Sequence, residues 1–295
     1  MTADKNKVSV VLCTYNGSSY LKKQLNSILE QTYDIDEIVI VDDCSTDSTR
    51  DILREYQKDN NKIKLFFNEK NLGSNSSFRY AISLASNNYL ALCDQDDIWY
   101  KNKIEIQMNS VFSSGFEHDN KPLLVFHDLC LIDQNDNITN KSFWKLRKFI
   151  PETFTFKRLL FLNIVTGCTC LINNSLKEEM LKSDMQDIIM HDYLIALIGY
   201  GFGNAIYINE PLMYYRSHQG TVTEKENITF TNRIKIFISS IKEKSYLKPN
   251  ILQIQQFNFL YGDKLDLPNK KLVQYFESLK NKSIVRRIIY KWLIN

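Results

Sequence analysis

Long apolar runs are missing from this 295-residue chain. The longest weakly polar stretch, Leu159 to Ile172, is interrupted by Asn163, Thr166, Gly167 and Thr169. It is too short to cross a hydrocarbon layer of about 30 Å, so no transmembrane helix is expected. Cysteine is sparse: Cys13, Cys44, Cys93, Cys130, Cys168 and Cys170 are spread along the chain rather than packed into a small secreted framework, and reduced thiols are expected. Cys168 and Cys170 have no second pair at zinc-finger spacing, which argues against a structural zinc. Both common phosphate-binding glycine loops are absent, the G-x-G-x-x-G after a first strand and the G-x-x-x-x-G-K-[ST]. A dinucleotide oxidoreductase and a P-loop ATPase are disfavoured accordingly. Residues Met1 to Lys7 are polar, and the apolar stretch that follows has no small-residue cleavage site. The expected location is cytoplasmic.

What is present is a globular composition: 44% hydrophobic, 24% charged and 12% aromatic residues, far from the signature of disorder. The length allows two average domains or one large α/β domain with an appendage. The formal net charge of +3 conceals an asymmetry. Residues 230–295 hold 13 Lys/Arg against 4 Asp/Glu, which leaves 24 against 30 for residues 1–229. The two parts are expected to meet different partners.

From Val8 the sequence alternates strand-like and amphipathic runs, the pattern of a mostly parallel sheet flanked by helices. Strands are predicted at Val8 to Tyr15, Glu37 to Val41, Ile63 to Phe67, Tyr89 to Cys93, Leu123 to Ile132, Cys168 to Ile172 and Ala205 to Tyr215. Helices are predicted after Ser18 or Ser19, after Ser45 or Thr46, across Phe78 to Leu84, near Ser175 and around His191 to Gly199. The expected domains are 1–228, an α/β unit, and 229–295, a basic helical C-terminal region.

Ligands of open α/β sheets sit beyond the carboxyl ends of the strands. Here those positions are polar: Thr14-Tyr15-Asn16-Gly17, Asp42-Asp43, Asn68 with Asn71-Leu72-Gly73, and Asp94-Gln95-Asp96-Asp97. Three carboxylates within four residues at a buried strand end repel one another and are costly to desolvate unless a cation or a hydrogen-bond network satisfies them. Oxygen ligands favour Mg²⁺ or Mn²⁺, and Mg²⁺ commonly completes its shell with water and substrate phosphates. A phosphorylated substrate is implied.

Four segments, VSVVLCTYN (Val8 to Asn16), IVIVDDCSTD (Ile38 to Asp47), Asn71-Leu72-Gly73 and DQDDIW (Asp94 to Trp99), followed by His191-Asp192, resemble the family 2 glycosyltransferases with the nucleotide-diphospho-sugar transferase (GT-A) fold. The resemblance runs from about residue 7 to 219. Within the family the chain is most similar to bacterial rhamnosyltransferases of surface-polysaccharide synthesis, through DQDDIW, His127-Asp128, Thr166-Gly167-Cys168, His191-Asp192 and Tyr215-Arg216-Ser217-His218.

The resemblance implies roles. Thr14 and Tyr15 would lie against a nucleobase, and Asp43 would accept a hydrogen bond from the N3–H of uracil or thymine, giving a UDP- or dTDP-sugar donor. Asp94 would reach the ribose, and Asn16, Asn71 and Gln95 complete the donor set. Asp96, with Mn²⁺ or Mg²⁺, would bind the diphosphate, and Asp97 would help to position the metal or the donor sugar. Asp192 would be the catalytic base that deprotonates an acceptor hydroxyl, with inversion at the anomeric carbon. His218 is a candidate metal ligand and Arg216 a candidate phosphate contact. The acceptor implied is a glycan or a lipid-linked oligosaccharide.

Plainer readings stand beside these. Asp42 suits a turn or helix cap, Asp192 a helix N-cap, and Trp144 and Phe143 core packing. Gly73 and Gly167 suit tight backbone turns. Two other functional classes remain open: a sugar-nucleotide nucleotidyltransferase, distinguished by pyrophosphate formation, and a non-catalytic glycan-binding subunit, distinguished by glycan affinity without nucleotide affinity. The basic tail is read as a solvated face, a subunit dock or a peripheral membrane contact at the inner face of the cell membrane. In the last reading Ile284, Ile288, Ile289 and Trp292 are buried in lipid, with Arg286, Arg287 and Lys291 near headgroups. No basic groove with aromatic platforms points to nucleic acid.

Overall fold

The computed structural model describes residues 6–185, 188–217, 247–283 and 286–288. Strand β1 (Val8–Thr14) is buried along nearly its whole length, as a central parallel strand with apolar faces on both sides must be. It pairs in parallel with β2 (Glu37–Asp42), which pairs in parallel with β3 (Ile63–Phe67). Helices α1 (Leu21–Leu29), α2 (Thr49–Asp59) and α3 (Ser74–Leu84) make the crossovers. Strand β4 (Tyr89–Cys93) then joins the other edge of β1, also in parallel.

The chain therefore reverses its direction of growth between β1 and β4. A crevice opens at such a switch point, beyond the carboxyl ends of the strands. Thr14 lies level with Asp42, and Leu12 with Cys93. The residues following each strand thus come to one edge.

A short strand, β5 (Ile98–Trp99), precedes helix α4 (Lys103–Ser114). Strand β6 (Leu123–Ile132) follows over the span that its apolar run predicts. Beyond it lie the hairpin strand β7 (Ile138–Asn140) and the short helices α5 (Phe143–Arg147) and α6 (Phe156–Leu159). Instead of one strand over Cys168 to Ile172, a 3₁₀ turn at Gly167–Thr169 leads into β8 (Leu171–Asn173). Helix α7 (Asn174–Leu181) is capped by the Asn173 side chain, which accepts from Leu176 N–H at 2.9 Å. Helix α8 (His191–Phe202) is buried around most of its circumference, as an apolar helix must be. It feeds β9 (Asn204–Arg216), which runs parallel to β6 with register shifts near His127 and Asp128. Among the described residues the sheet order is β3-β2-β1-β4-β8-β6-β9-β5, with β7 on β6.

Two of these details place the site. Strand β8 is antiparallel to β4, so the turn before β8 abuts the carboxyl end of β4, and Leu92 N–H donates to the Cys170 carbonyl at 3.0 Å. Strand β5 pairs with the end of β9, which closes the 94–97 loop into a bridge across the crevice.

Helices α9 (Lys248–Tyr261) and α10 (Leu267–Ser278) confirm helical structure in the described part of the C-terminal region. They are not a detached appendage. Phe257 stacks at 6.0 Å from Phe156, and Phe276 at 4.7 Å from Phe161, inside the same apolar core as β1, β4 and α8. Gln253 accepts from Ile189 N–H at 2.8 Å, which braces the segment leading into α8. Residues Ile284, Ile289, Lys291 and Trp292 lie outside the described residues. Arg287 turns inward to donate to the Leu279 carbonyl at 2.8 Å.

Phe257 is completely buried between Phe156, Phe202 and Tyr261. Phe257→Ala is expected to lower unfolding stability by about 3–5 kcal/mol, the cost of a core aromatic cavity, measured by urea titration. A loss under about 1 kcal/mol would show that these helices do not share the core.

Candidate active site

The crevice is a cavity of about 780 Å³. Its floor comes from the strand ends (Thr14, Tyr15, Asp43, Asp94, Gln95, Asp96), and its far wall from the 161–167 segment and the start of α8. Of the predicted site residues, Thr14, Tyr15, Asp43, Asn71, Asp94, Gln95, Asp96 and Asp192 line it together. His218 lies outside the described residues.

Hydrogen bonding divides these residues. Tyr15 presents a ring that is 47% exposed at the cavity edge, available for stacking. Gln95 is committed to the backbone of Tyr15: its Nε2 donates to Tyr15 O at 3.0 Å, and its Oε1 accepts from Tyr15 N–H at 2.8 Å. Asn16 does not line the cavity; its Oδ1 accepts from Thr46 N–H at 2.8 Å and locks the first loop to the second. Asp42 is wholly buried and accepts from Thr14, Ser45 and Arg50, the turn-and-cap role.

Asp43 accepts from Asn68 Nδ2 at 2.8 Å, Leu72 N–H at 2.8 Å and Gly73 N–H at 2.9 Å. Burial pushes its pKa up, but these donors, led by Leu72, outweigh burial and hold it below the ordinary carboxylate value. Gly73 sits at φ +79°, a conformation that costs a glycine little, and it aims its N–H at this carboxylate.

The acidic loop is tied down from behind. Arg216 is 1% exposed and is not part of the cavity lining. Its N–H donates to Asp97 Oδ1 at 3.0 Å, its Nε to the Asp96 carbonyl at 2.8 Å, and Nη1 to Asp133 O and to Asp136; the guanidinium lies 4.4 Å over the Tyr20 ring. Arg216 shapes the loop from beneath rather than facing the cavity.

Behind the loop stands a buried cation that sequence reading passes over. Lys103 is fully buried, donates to the Cys168 carbonyl at 2.6 Å and lies 3.8 Å over the Trp99 ring. Burial lowers its pKa to about 8. One turn on, Gln107 Nε2 donates to the Thr169 carbonyl at 2.9 Å. The signal that could have revealed α4 is the spacing of Ile104, Met108 and Val111 ahead of Gly115.

The carboxylates repel. Burial, then Asp96 and Asp192, raise Asp94 to about 7, and burial, then Asp96 and Asp94, raise Asp97 well above its ordinary value. Asp97 is 1% exposed, and its Oδ2 has no hydrogen-bond partner among the described residues. Ligand atoms of Asp94, Asp97 and Cys168 all lie within 4.8 Å of one another. Hard carboxylate donors and an orphaned buried oxygen fit a divalent cation such as Mg²⁺ or Mn²⁺; the Cys168 thiol, kept protonated by burial, is the poorly matched member.

Across the cavity, Asp192 sits in the first turn of α8. Asn163 Nδ2 donates to its Oδ1 at 2.9 Å, and Gly167 N–H to its Oδ2 at 3.0 Å. Burial raises Asp192 to about 7 against these bonds. His191 stacks on Phe78 at 4.1 Å, and burial lowers it to about 3, so it is neutral at physiological pH. Asp128, at the register shift in the middle of β6, holds the start of α5 by accepting from Trp144 N–H at 2.9 Å, and Trp144 is buried as core.

Comparison with known proteins agrees with this architecture. Residues 9–117 match the sequence profile of glycosyl transferase family 2. The chain is 31% identical over 231 residues to TuaG of Bacillus subtilis, named as a teichuronic acid biosynthesis glycosyltransferase, covering 77% of this chain and 85% of that one. It is 29% identical over 170 residues to WfgD of Escherichia coli, a UDP-Glc:α-D-GlcNAc-diphosphoundecaprenol β-1,3-glucosyltransferase, covering 57% and 60%. It spans 63% of the length of the uncharacterised glycosyltransferase MJ1057 of Methanocaldococcus jannaschii. Among solved structures, TarS of S. aureus with UDP superposes with TM-score 0.56 at 17% identity, covering 92% of this chain and 71% of that one. The mannosyltransferase PcManGT of Pyrobaculum calidifontis, with GDP-Man and Mn²⁺, gives 0.55 at 17%, covering 97% and 83%. The fold is that of the GT-A glycosyltransferases. The chain belongs to glycosyl transferase family 2, and it is a glycosyltransferase.

A Cβ on Gly167 would stand 2.9 Å from His191 Nε2 and 3.5 Å from Asp192 Cβ. Gly167→Ala is expected to cost about 1–3 kcal/mol of stability through overpacking. By lengthening the Gly167 N–H bond it should also raise the Asp192 pKa, which is followed by carboxyl NMR titration. Unchanged values in both measurements would mean that the 166–168 turn does not clamp Asp192.

Proposed function

We propose that this glycosyltransferase is an inverting, metal-dependent enzyme that moves a sugar, with rhamnose among the candidates, from a UDP or dTDP donor to a growing bacterial surface glycan. The carrying observation is the pairing across one cavity of a carboxylate cluster at the end of β4 with a lone, hydrogen-bonded Asp192 on α8. The names of TuaG and WfgD support a glycan-building role, and the latter supports a lipid-linked acceptor.

In this reading the exposed Tyr15 ring stacks on the base, and Asp43 accepts its N3–H. Asn68, Ser77, Leu72 and Gly73 fix the orientation of that carboxylate, and a base N3–H would share its oxygens with them. UDP and UDP-GlcNAc in TarS crystals agree with a uridine donor, whereas PcManGT takes GDP-Man. Asp96 would hold the cation together with Asp94 and Asp97, which moves Asp94 from the ribose role implied by the resemblance because its carboxylate clusters with that of Asp97; when bound, the cation would offset charge growing on the departing diphosphate. Asp192 takes the proton of the acceptor hydroxyl as its oxygen attacks the anomeric carbon and the nucleoside diphosphate leaves, giving inversion. Asn163 and the Gly167 N–H fix the orientation of that carboxylate. Residues 1–228 carry the reaction in this reading, and 229–295 supply the helices that brace it.

The test is nucleoside diphosphate release from a panel of UDP- and dTDP-sugars with Mn²⁺ and an acceptor. Asp192→Asn should lose about 10²–10⁴-fold in kcat while keeping donor affinity; full activity would remove Asp192 as the base. A base must be ionised, so kcat/KM should rise with pH and level off above the Asp192 pKa. That limb should lie at or below about pH 7, since positive charge in the site favours the carboxylate. Turnover that survives EDTA would overturn the metal reading.

A further inference from the structure

One wall of the cavity is built by a segment whose outer face the reaction does not use. Residues 141–158 contain six Lys/Arg (Lys141, Lys145, Arg147, Lys148, Lys157, Arg158) and a single acid, Glu152. Residues 1–229 as a whole hold 24 basic against 30 acidic side chains, so this cationic segment sits in a surface that is otherwise net acidic. Phe143, Arg147 and Phe149 line the cavity, while Lys145, Leu146, Lys148 and Ile150 are exposed and not part of its lining. Leu146 is 50% and Ile150 56% exposed.

The segment is firmly held. Ser142 caps α5 and donates to buried Asp128, Trp144 is buried against Phe126 and Phe154, and Arg147 lies 5.8 Å over Phe143 and 6.0 Å over Phe149. A rigid lip that alternates exposed cations with exposed branched aliphatics is hard to explain as a solvated face. It matches an anionic lipid surface, where long cationic side chains reach phosphates and aliphatic tips enter the headgroup boundary.

We propose that the outer face of residues 141–158 docks this enzyme on an anionic lipid bilayer. A soluble polyanion would satisfy the cations but would leave Leu146 and Ile150 without a role. No helix among the described residues is long and apolar enough to cross a membrane, so attachment by this face would be peripheral. The surface stands independently of the donor and of Asp192.

The experiment is co-sedimentation of the full chain with vesicles of phosphatidylglycerol and phosphatidylcholine in equal parts, and with phosphatidylcholine alone. The unmodified protein should bind the anionic vesicles and release in about 0.5 M salt, where the Debye length falls to a few ångströms. Lys145→Glu with Lys148→Glu should weaken binding at least tenfold, and Leu146→Ser with Ile150→Ser at least threefold. Both variants should keep nucleotide affinity by calorimetry, because none of these four residues lines the cavity. Binding lost only in Arg286→Glu with Arg287→Glu would overturn the proposal in favour of the tail. Absence of anionic-vesicle binding would also overturn it. So would polyglutamate binding as tight as vesicle binding, with no effect of the serine substitutions.

Discussion

Crowding of negative charge at the end of β4 is the constraint around which the rest of the molecule is arranged. An apolar, buried strand delivers Asp94, Asp96 and Asp97 into a space where water cannot fully screen them, and Asp192 faces them across the cavity. Left alone, such a cluster would spring the loop outward or take up protons. The fold resists from three sides: Arg216 ties Asp97 and the Asp96 carbonyl to the end of β9, Lys103 places a buried positive charge behind the turn at Cys168, and β5 pins the far end of the loop. These elements hold the carboxylates together without neutralising them all. Asp97 Oδ2 still has no hydrogen-bond partner among the described residues, and that residual demand fits the cation proposed for the site.

The strands and the polar residues that end them could be read from sequence because their signals are local. A buried parallel strand must be apolar on both faces, so β1, β2, β4 and β6 appear as runs of Val, Ile and Leu followed abruptly by Asp, Asn or Thr. Asp43, Asp94 and Asp96 at those ends line one cavity together with Asp192, whereas Asp42 and Asp97 are not part of its lining. What could not be read depends on partners far apart in the chain. Arg216 and Asp136 are 80 residues apart, as are Gln95 and Tyr15. From sequence Arg216 reads as a phosphate contact, and its bonds to the Asp96 carbonyl, Asp133 and Asp136 leave no mark there. Lys103 escaped for a related reason: lysine is almost never fully buried unless paired, and its partners, a carbonyl and an indole face, leave no mark in sequence.

The C-terminal helices illustrate how composition can mislead about architecture. Net positive charge in residues 230–295 with no strand pattern suggested a basic helical appendage, and the described residues there are mostly helical; charge, however, is carried by the outer faces of helices and says little about the inner ones. The inner faces of α9 and α10 present Ile251, Ile254, Phe257, Val273 and Phe276 to the core that also holds α8. Through Gln253 on Ile189 and Asn250 on the Tyr193 hydroxyl, this region reaches the two ends of the segment that contains His191 and Asp192. A mutation at Gln253 therefore acts on the site through the segment leading into α8, whereas Asn250 itself lines the cavity.

The same logic separates the two walls of the cavity. The wall proposed to hold the donor is polar and its side chains are cross-linked, Gln95 to Tyr15 and Asp43 to the turn at Leu72 and Gly73, while Asn16 behind it is tied to Thr46. Each such bond fixes a position before any ligand arrives, and preorganisation reduces the ordering cost of binding. The opposite wall, from Phe161 to Val165 with Ile189 and Met190, is mostly apolar and makes few side-chain hydrogen bonds apart from those of Asn163. Specificity read by hydrogen bonds discriminates more sharply than specificity read by apolar fit. The arrangement thus assigns stringent recognition to the polar wall and tolerant recognition to the apolar one. Asn163, Thr166, His191, Asp192 and Asn250 are polar residues on that side, and in the proposed reaction Asp192 is the one that meets the attacking hydroxyl.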